Sequence, residues 1–307
     1  MTDSLSRLRI GTRRSALALY QTNLIADLLR EAHPDLTVEI VEIDTKGDKI
    51  RDIPLPEIGG KGLFTYEIEQ QLLSEDIELA VHSLKDLPSD LGEQLIWAGS
   101  PARAAATDAF ISRKWDGIDA IPEGGTIATG SVRRRAQIAT LRPDLNFIDL
   151  RGNIDTRLAK LEKNGWDGII MATAALHRLE MSETVTEELV PERVVPAVGQ
   201  GAIGVEIKEG REDVMALLSH IFDEETTLAA RAERAFMREL EGGCSVPVAG
   251  HAQKQDAGWS FRGWVGAPDG SRHLTDVLEG EDPVALAQAM AKDFIEQGAR
   301  EMMKPAQ

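Results

Sequence analysis

Residues 126–172, TIATGSVRRRAQIATLRPDLNFIDLRGNIDTRLAKLEKNGWDGIIMA, alternate short apolar runs with longer amphipathic ones. Thr126–Thr129, Phe147–Leu150 and Gly168–Ala172 are apolar runs of strand length, whereas 132–142 and 154–163 between them have helical periodicity. Strands joined through intervening helices run parallel, so this alternation predicts an α/β unit with a largely parallel sheet. The same rhythm occupies the first hundred residues. Leu8–Gly11 reads as a strand, and 15–33 as a helix with Leu17, Tyr20, Leu24, Ile25, Leu28 and Leu29 on one face. Leu36–Asp44 is a second strand, followed by a helix at 63–75 and strands at 78–82 and 95–99. Between them, 47–62 is rich in glycine, proline and charge, too long for an ordinary connection, and reads as a mobile or functional loop.

The stretch 194–207, with Pro196 and Gly199-Gln200-Gly201, reads as a crossover back to the first unit. From Glu224 the texture changes to a helix at 224–240, a glycine-rich loop, strand-like runs near 246–252, 259–267 and 273–280, and a closing helix at 283–297. That order predicts a small α+β domain with an antiparallel sheet. The expected division is 1–101 with 199–220, then 107–195, then 224–307.

Thirty-four lysines and arginines stand against 51 acids, a net charge of −17. Nucleic-acid phosphates would be repelled over most of such a surface. An anionic small ligand needs local positive charge instead. No apolar run spans a bilayer and the N-terminus lacks a signal-peptide core, so a cytoplasmic protein without membrane contact is expected. No exposed heptad asks for a partner, and a monomer is expected. Histidines 33, 177, 220, 251 and 273 show no metal-ligand spacing, and no metal is expected.

Three strand-to-helix junctions carry arginines where a helix prefers acids: Arg13-Arg14 before Ser15, Arg133-Arg134-Arg135 after Ser131, and Arg151 and Arg157 around Gly152-Asn153. A cation at a helix N-terminus costs about 0.3–1 kcal/mol. Repeated three times, the mismatch indicates that an anion completes each junction, with first-turn amides adding donors. Carboxylate and phosphate both fit planar arginine; the absence of a GxxxxGK[ST] loop disfavours a nucleoside triphosphate. In open α/β sheets ligands sit beyond the carboxyl ends of strands, where all three junctions fall, and two such units facing each other would form an arginine-lined cleft.

One carboxylate shares that position. Asp86 follows the apolar strand 78–82 in His82-Ser83-Leu84-Lys85-Asp86-Leu87-Pro88 and either caps a turn or serves as an acid–base group. His82 and Ser83, adjacent on a strand, point to opposite faces and do not make a hydrolytic couple. The single cysteine, Cys244 in Glu241-Gly242-Gly243-Cys244, rules out an intrachain disulfide or a multi-thiolate zinc site. It is an inert buried thiol, a redox-sensitive one, or a covalent anchor to which the two glycines give access.

Together these residues resemble the porphobilinogen deaminase family. The segments RIGTRRSALAL, GGKGLFTYEIE, AVHSLKDLP, TGSVRRRAQ, LRGNIDTRL, PAVGQGAIGVE and EGGCSVPVAGHA carry the resemblance, in order, from residue 9 to about 252. It implies three domains, two of them similar to type II periplasmic-binding-protein α/β lobes and the third bearing the cysteine. It also implies a dipyrromethane cofactor joined by a thioether to Cys244. The implied reaction joins four porphobilinogen units head to tail, with loss of ammonia each time, to give hydroxymethylbilane. By the same match Asp86 is catalytic, and Ser83, Lys85, Thr129, Ser131, Arg133, Arg134, Arg151 and Gly152 hold the cofactor. Arg13, Ser15, Gln21, Lys61, Phe64, Arg151, Arg157, Arg178 and Gln200 would serve the substrate. Glu57 stands where a lysine is common in the family, and Gly130 where a serine is common. Two other readings compete: a two-lobed organic-anion-binding protein, which leaves Cys244 without a task, and a cysteine-dependent hydrolase, which needs a histidine beside the sulfur.

Overall fold

The computed structural model describes residues 5–49, 64–241 and 246–304; Glu57, Lys61 and Cys244 lie outside them. The described residues form two compact units, one of 5–49, 64–104 and 202–227, the other drawn from 105–201 and 228–304.

The first unit is built on five strands in the order β2-β1-β3-β10-β4, where β1 is Arg7–Thr12, β2 Thr37–Glu42, β3 Leu79–Ser83, β4 Leu95–Gly99 and β10 Ile203–Lys208. β1 runs parallel to β2 and β3, while β10 runs antiparallel to both β3 and β4. On one face the helix Ala16–Ala32 buries Ile25, Ala26 and Leu29 against Leu8, Ile10, Leu79, Val81 and Val205. The helix is started by Ser15, whose hydroxyl accepts from the Ala18 amide, and it stops at His33 ahead of Pro34. On the other face the helix Tyr66–Leu73 packs Ile68 and Leu72 against Ala80 and Ile77.

The second unit repeats this topology with β5 (Asp108–Ile111), β6 (Thr126–Ala128), β7 (Asn146–Ile148), β8 (Gly168–Ala172) and β9 (Glu187–Leu189) in the order β7-β6-β8-β5-β9. Read by position, both sheets are second, first, third, inserted and fourth strand, the lobe type implied by the resemblance. The expectation of largely parallel sheets holds for four of the five strands in each, with one exception. In each sheet the inserted strand is antiparallel to both neighbours. Apolar runs mark strands but not their direction, and β10 lies inside what reads as a connecting crossover.

A third, antiparallel sheet, β11 (Val248–Gln255), β12 (Gly258–Gly266) and β13 (His273–Gly280), lies in the second unit. The helices Glu224–Glu239 and Pro283–Glu296 cover it around Phe236, Phe261 and Phe294. It is fastened to the helix Val132–Leu141 by Trp264, packed with Ala136, Val195 and Ala249, and by the Thr140 hydroxyl, which donates to the Gly270 carbonyl at 3.1 Å. Among the described residues no helix is long and apolar enough to cross a membrane.

Candidate active site

Because β1 and β3 are parallel neighbours, their carboxyl ends lie side by side. The chain leaves β1 through Arg13 and Ser15, and leaves β3 through a single 3-10 turn, Leu84–Asp86. A pocket of about 430 Å³, open to solvent, forms there in the first unit. Arg13, Ser15, Gln21, Phe64, Ser83 and Asp86 all line it. The Arg13 guanidinium lies 4.3 Å from the centre of the Phe64 ring, a cation–π contact on the pocket wall. Ser15 brings the start of a 17-residue helix with no acid in its first turn, a position suited to an anion. Gln21 donates from Nε2 to Ser83 Oγ at 2.9 Å, fixing both on the pocket wall. Asp86 is exposed into the same space, with Lys85 preceding it in the turn. Strand alternation sends Ser83 toward Gln21 and His82 to the opposite face, where its Nε2 lies 3.1 Å from Glu206 Oε2. Arg14, by contrast, makes surface ion pairs with Glu42 and Asp44.

In the second unit the junction after β6 is organised by a residue that sequence reasoning missed. Asp108, fully buried at the start of β5, accepts from Arg133 Nη2 at 2.7 Å and from Arg134 Nε and Nη2 at 2.9 and 2.7 Å. Burial alone would push the Asp108 carboxyl up, but the two guanidiniums reverse this and hold it far below the usual carboxylate range. Arg133 also donates to the Val195 carbonyl and Arg134 to that of Ile170. Both arginines, expected at a ligand surface, are therefore buried parts of the scaffold. Gln200 departs further from its expected place on a pocket wall. It is fully buried, and its Nε2 donates to the carbonyls of Ala106 and Thr107 and to Asp108. Arg178 is buried as well, donating to the Gly201 carbonyl at 2.7 Å.

Ser131 caps the helix Val132–Leu141 by accepting from the Arg134 amide, and Thr129 Oγ1 accepts from the Ser131 amide. A side chain at Gly130 would meet the Leu150 carbonyl 2.6 Å away, so the serine common in the family has no room here. That closeness brings the Ser131 and Arg151 loops together. Gly152 holds φ +113°, a backbone region L residues rarely enter, and Asn153 then caps the helix Ile154–Asn164. Arg151 Nε is buried without a hydrogen-bond partner, 3.5 Å from Asp149, and Arg157 Nε donates to the Gly152 carbonyl.

The sequence signal for Asp108 is a lone acid heading the apolar run Ala109-Phe110-Ile111. Glu206, inside Ile203-Gly-Val-Glu-Ile207, carries the same signal. A charged residue in a strand that is otherwise apolar on both faces demands a buried partner.

Fold and pocket define a class: an α/β protein of two like lobes and an appended antiparallel domain, with a carboxylate and an arginine lining one cavity. The chain belongs to the porphobilinogen deaminase family. The family model "porphobilinogen deaminase, dipyromethane cofactor binding domain" matches residues 8–216, and "porphobilinogen deaminase, C-terminal domain" matches 227–296. The porphobilinogen deaminase of Halalkalibacterium halodurans is 44% identical over 297 residues, covering 96% of each chain. That of Listeria monocytogenes is 43% identical over 298 residues, again 96% of each. Among solved structures, the methionine binding protein MetQ is similar with a TM-score of 0.42 and 12% identity, over 75% of this chain and 95% of its own.

Proposed function

We propose that this chain is the transferase that condenses four porphobilinogen units head to tail, releasing ammonia at each step, to give the linear hydroxymethylbilane. The observation that carries this is the first unit's pocket, where Arg13 and the Ser15 helix start share one cavity with Asp86. Each porphobilinogen brings two carboxylates and an aminomethyl arm. Arg13 and the helix start take a carboxylate, with Gln21, Ser83 and Phe64 shaping the wall; Lys61 is assigned to the substrate by its motif alone. Loss of ammonia leaves an electron-poor azafulvene. Asp86 stabilises that positive charge and receives the proton shed when the new carbon–carbon bond forms. An anion-binding protein without chemistry would leave Cys244 and the third domain without a task.

The donors of the second unit suit a covalently held polycarboxylate. They are guanidinium, hydroxyl and amide groups, and the buried Arg151 Nε has no hydrogen-bond partner among the described residues. Arg151, Thr129, Ser131 and the Gly152 turn, with Ser83 and Lys85 of the first unit, would hold a dipyrromethane attached through Cys244. When bound, that group supplies the free pyrrole carbon to which units are added. Arg133 and Arg134, two charges over one aspartate, provide a fixed positive field for its carboxylates, and Gln200 acts by positioning Arg134. Arg157 and Arg178 steady the substrate end. A tether of this kind makes successive additions intramolecular. The chain works as three domains, 1–101 with 199–220, 107–195 and 224–307, as a cytoplasmic monomer.

Intact-protein mass spectrometry tests the proposal. A stable increment of two linked pyrrole rings is expected, absent in Cys244→Ser. An unmodified protein that still consumes porphobilinogen would refute the tether.

A further inference from the structure

Thr65 and His82 form part of the Asp86 pocket wall, and two carboxylates that do not themselves line the cavity, Glu206 and Glu69, lie behind them. Along β3 and β10, Gly204 stands opposite His82 and Glu206 opposite Ala80, so His82, Ala80 and Glu206 share one face of the sheet. The helix Tyr66–Leu73 lies on that face through Ile68 and Leu72. Thr65 and Glu69 complete the same i, i+3, i+4, i+7 stripe, putting polar groups where packing alone favours apolar ones. Glu206 is fully buried; one carboxylate oxygen meets His82 Nε2, and the other, Oε1, has no hydrogen-bond partner among the described residues. Thr65, 2% exposed, lines the pocket, and its hydroxyl is directed at the Glu69 carboxylate. Burial pushes the Glu69 carboxyl up; the nearby Thr65 hydroxyl offsets part of the shift, and Glu206 adds to it. Buried polar atoms without partners are rare because each forfeits its hydration. Such an atom on Glu206, directly behind the pocket wall at His82 and close to a second carboxylate, calls for a donor-rich cation.

We propose that Thr65, His82, Glu206 and Glu69 form the ammonium-binding pole of this pocket, opposite in charge to the carboxylate-binding pole at Arg13 and Ser15. Resting on the porphobilinogen chemistry above, the group received is the protonated aminomethyl arm of the incoming monopyrrole. Thr65 and His82 line the pocket and meet it, while Glu206 and Glu69 act behind them as positioning residues. Holding the nitrogen as an ammonium makes it a neutral leaving group. When the carbon–nitrogen bond breaks, its electron pair stays on nitrogen and ammonia departs. The positive charge passes to the methylene carbon and the conjugated pyrrole, where Asp86 can oppose it.

The test compares porphobilinogen with its hydroxymethyl analogue, in which a hydroxyl replaces the amine, on cofactor-loaded Thr65→Val and Glu206→Gln. For porphobilinogen kcat/KM should fall about 10- to 100-fold, as for loss of a charge-assisted hydrogen bond. For the hydroxymethyl analogue it should stay within about twofold, since no ammonium is present to lose that bond. Thr65→Val conserves volume and removes a hydroxyl whose contact is with the Glu69 side chain, so its Tm should stay close to wild type. If Glu206→Gln does not fold, Thr65→Val alone decides. Equal losses on both substrates, or no loss on either, would overturn the ammonium pole while leaving the proposed function standing. Wild-type protein that consumes neither substrate would instead remove the function on which the pole depends.

Discussion

Replacing Asp108 by asparagine should be among the most damaging single changes in the second unit. The carboxylate accepts four hydrogen bonds, three from Arg133 and Arg134 and one from Gln200, at 2.7–2.9 Å with no solvent access. Asparagine keeps the shape and one acceptor oxygen but leaves two guanidiniums buried together without a counter-charge. Breaking a buried pair by removing one partner costs about 3–5 kcal/mol. For a unit of roughly 150–250 residues that lowers Tm by about 6–20 °C. Urea unfolding followed by tryptophan fluorescence suits the measurement, because Trp115, Trp166, Trp259 and Trp264 all lie in the second unit and only Trp97 in the first. The acid limb supplies an independent check. A folded-state carboxyl held below its ordinary value contributes stability that is complete above about pH 4 and is lost as pH falls toward the depressed folded value. Wild type should therefore lose stability below pH 4 more steeply than Asp108→Asn. A variant that loses less than about 1 kcal/mol at neutral pH, or keeps the wild-type acid slope, would refute the claim that this ion cluster holds the lobe.

Asp86 is exposed, so Asp86→Asn should unfold at the wild-type temperature while porphobilinogen consumption drops about 10²- to 10⁴-fold; normal turnover would remove it from catalysis. Ser131→Ala deletes the cap of the helix Val132–Leu141 and should cost about 1 kcal/mol in denaturant unfolding. Gly152→Ala must hold an L residue at φ +113° with its Cβ 2.7 Å from the Thr156 side chain. A loss of about 1–3 kcal/mol is expected, together with weaker retention of the cofactor as read by mass spectrometry.

The elements were largely legible from periodicity. The strand 95–99, the helix starts at 132 and 154, and the run 168–172 fall where apolar spacing puts them. Direction was not legible, because β10 and β5 look the same whichever way they run. At the site, Ser15 and Ser131 were readable as caps since hydroxyl chemistry before a helical stripe is local. The partners of Arg133 and Arg134 were not. Asp108 lies about 25 residues upstream, and only the sheet order β6-β8-β5 brings it near. The polar cluster behind the pocket wall was hidden for the same reason. Glu69, His82 and Glu206 come from three separate segments, each unremarked beside longer motifs.

The central place of β10 in its sheet bears on how the chain is made. β3 and β4 never pair with one another; each pairs with β10, which lies more than a hundred residues after β4 in the chain. A ribosome adding 5–20 residues per second therefore leaves two apolar strand edges open for about 5–20 s before the missing member emerges. Such edges are templates for pairing with other chains. The nascent amino-terminal half is thus a natural client for holdase chaperones, and a fragment ending before residue 203 should collect in inclusion bodies.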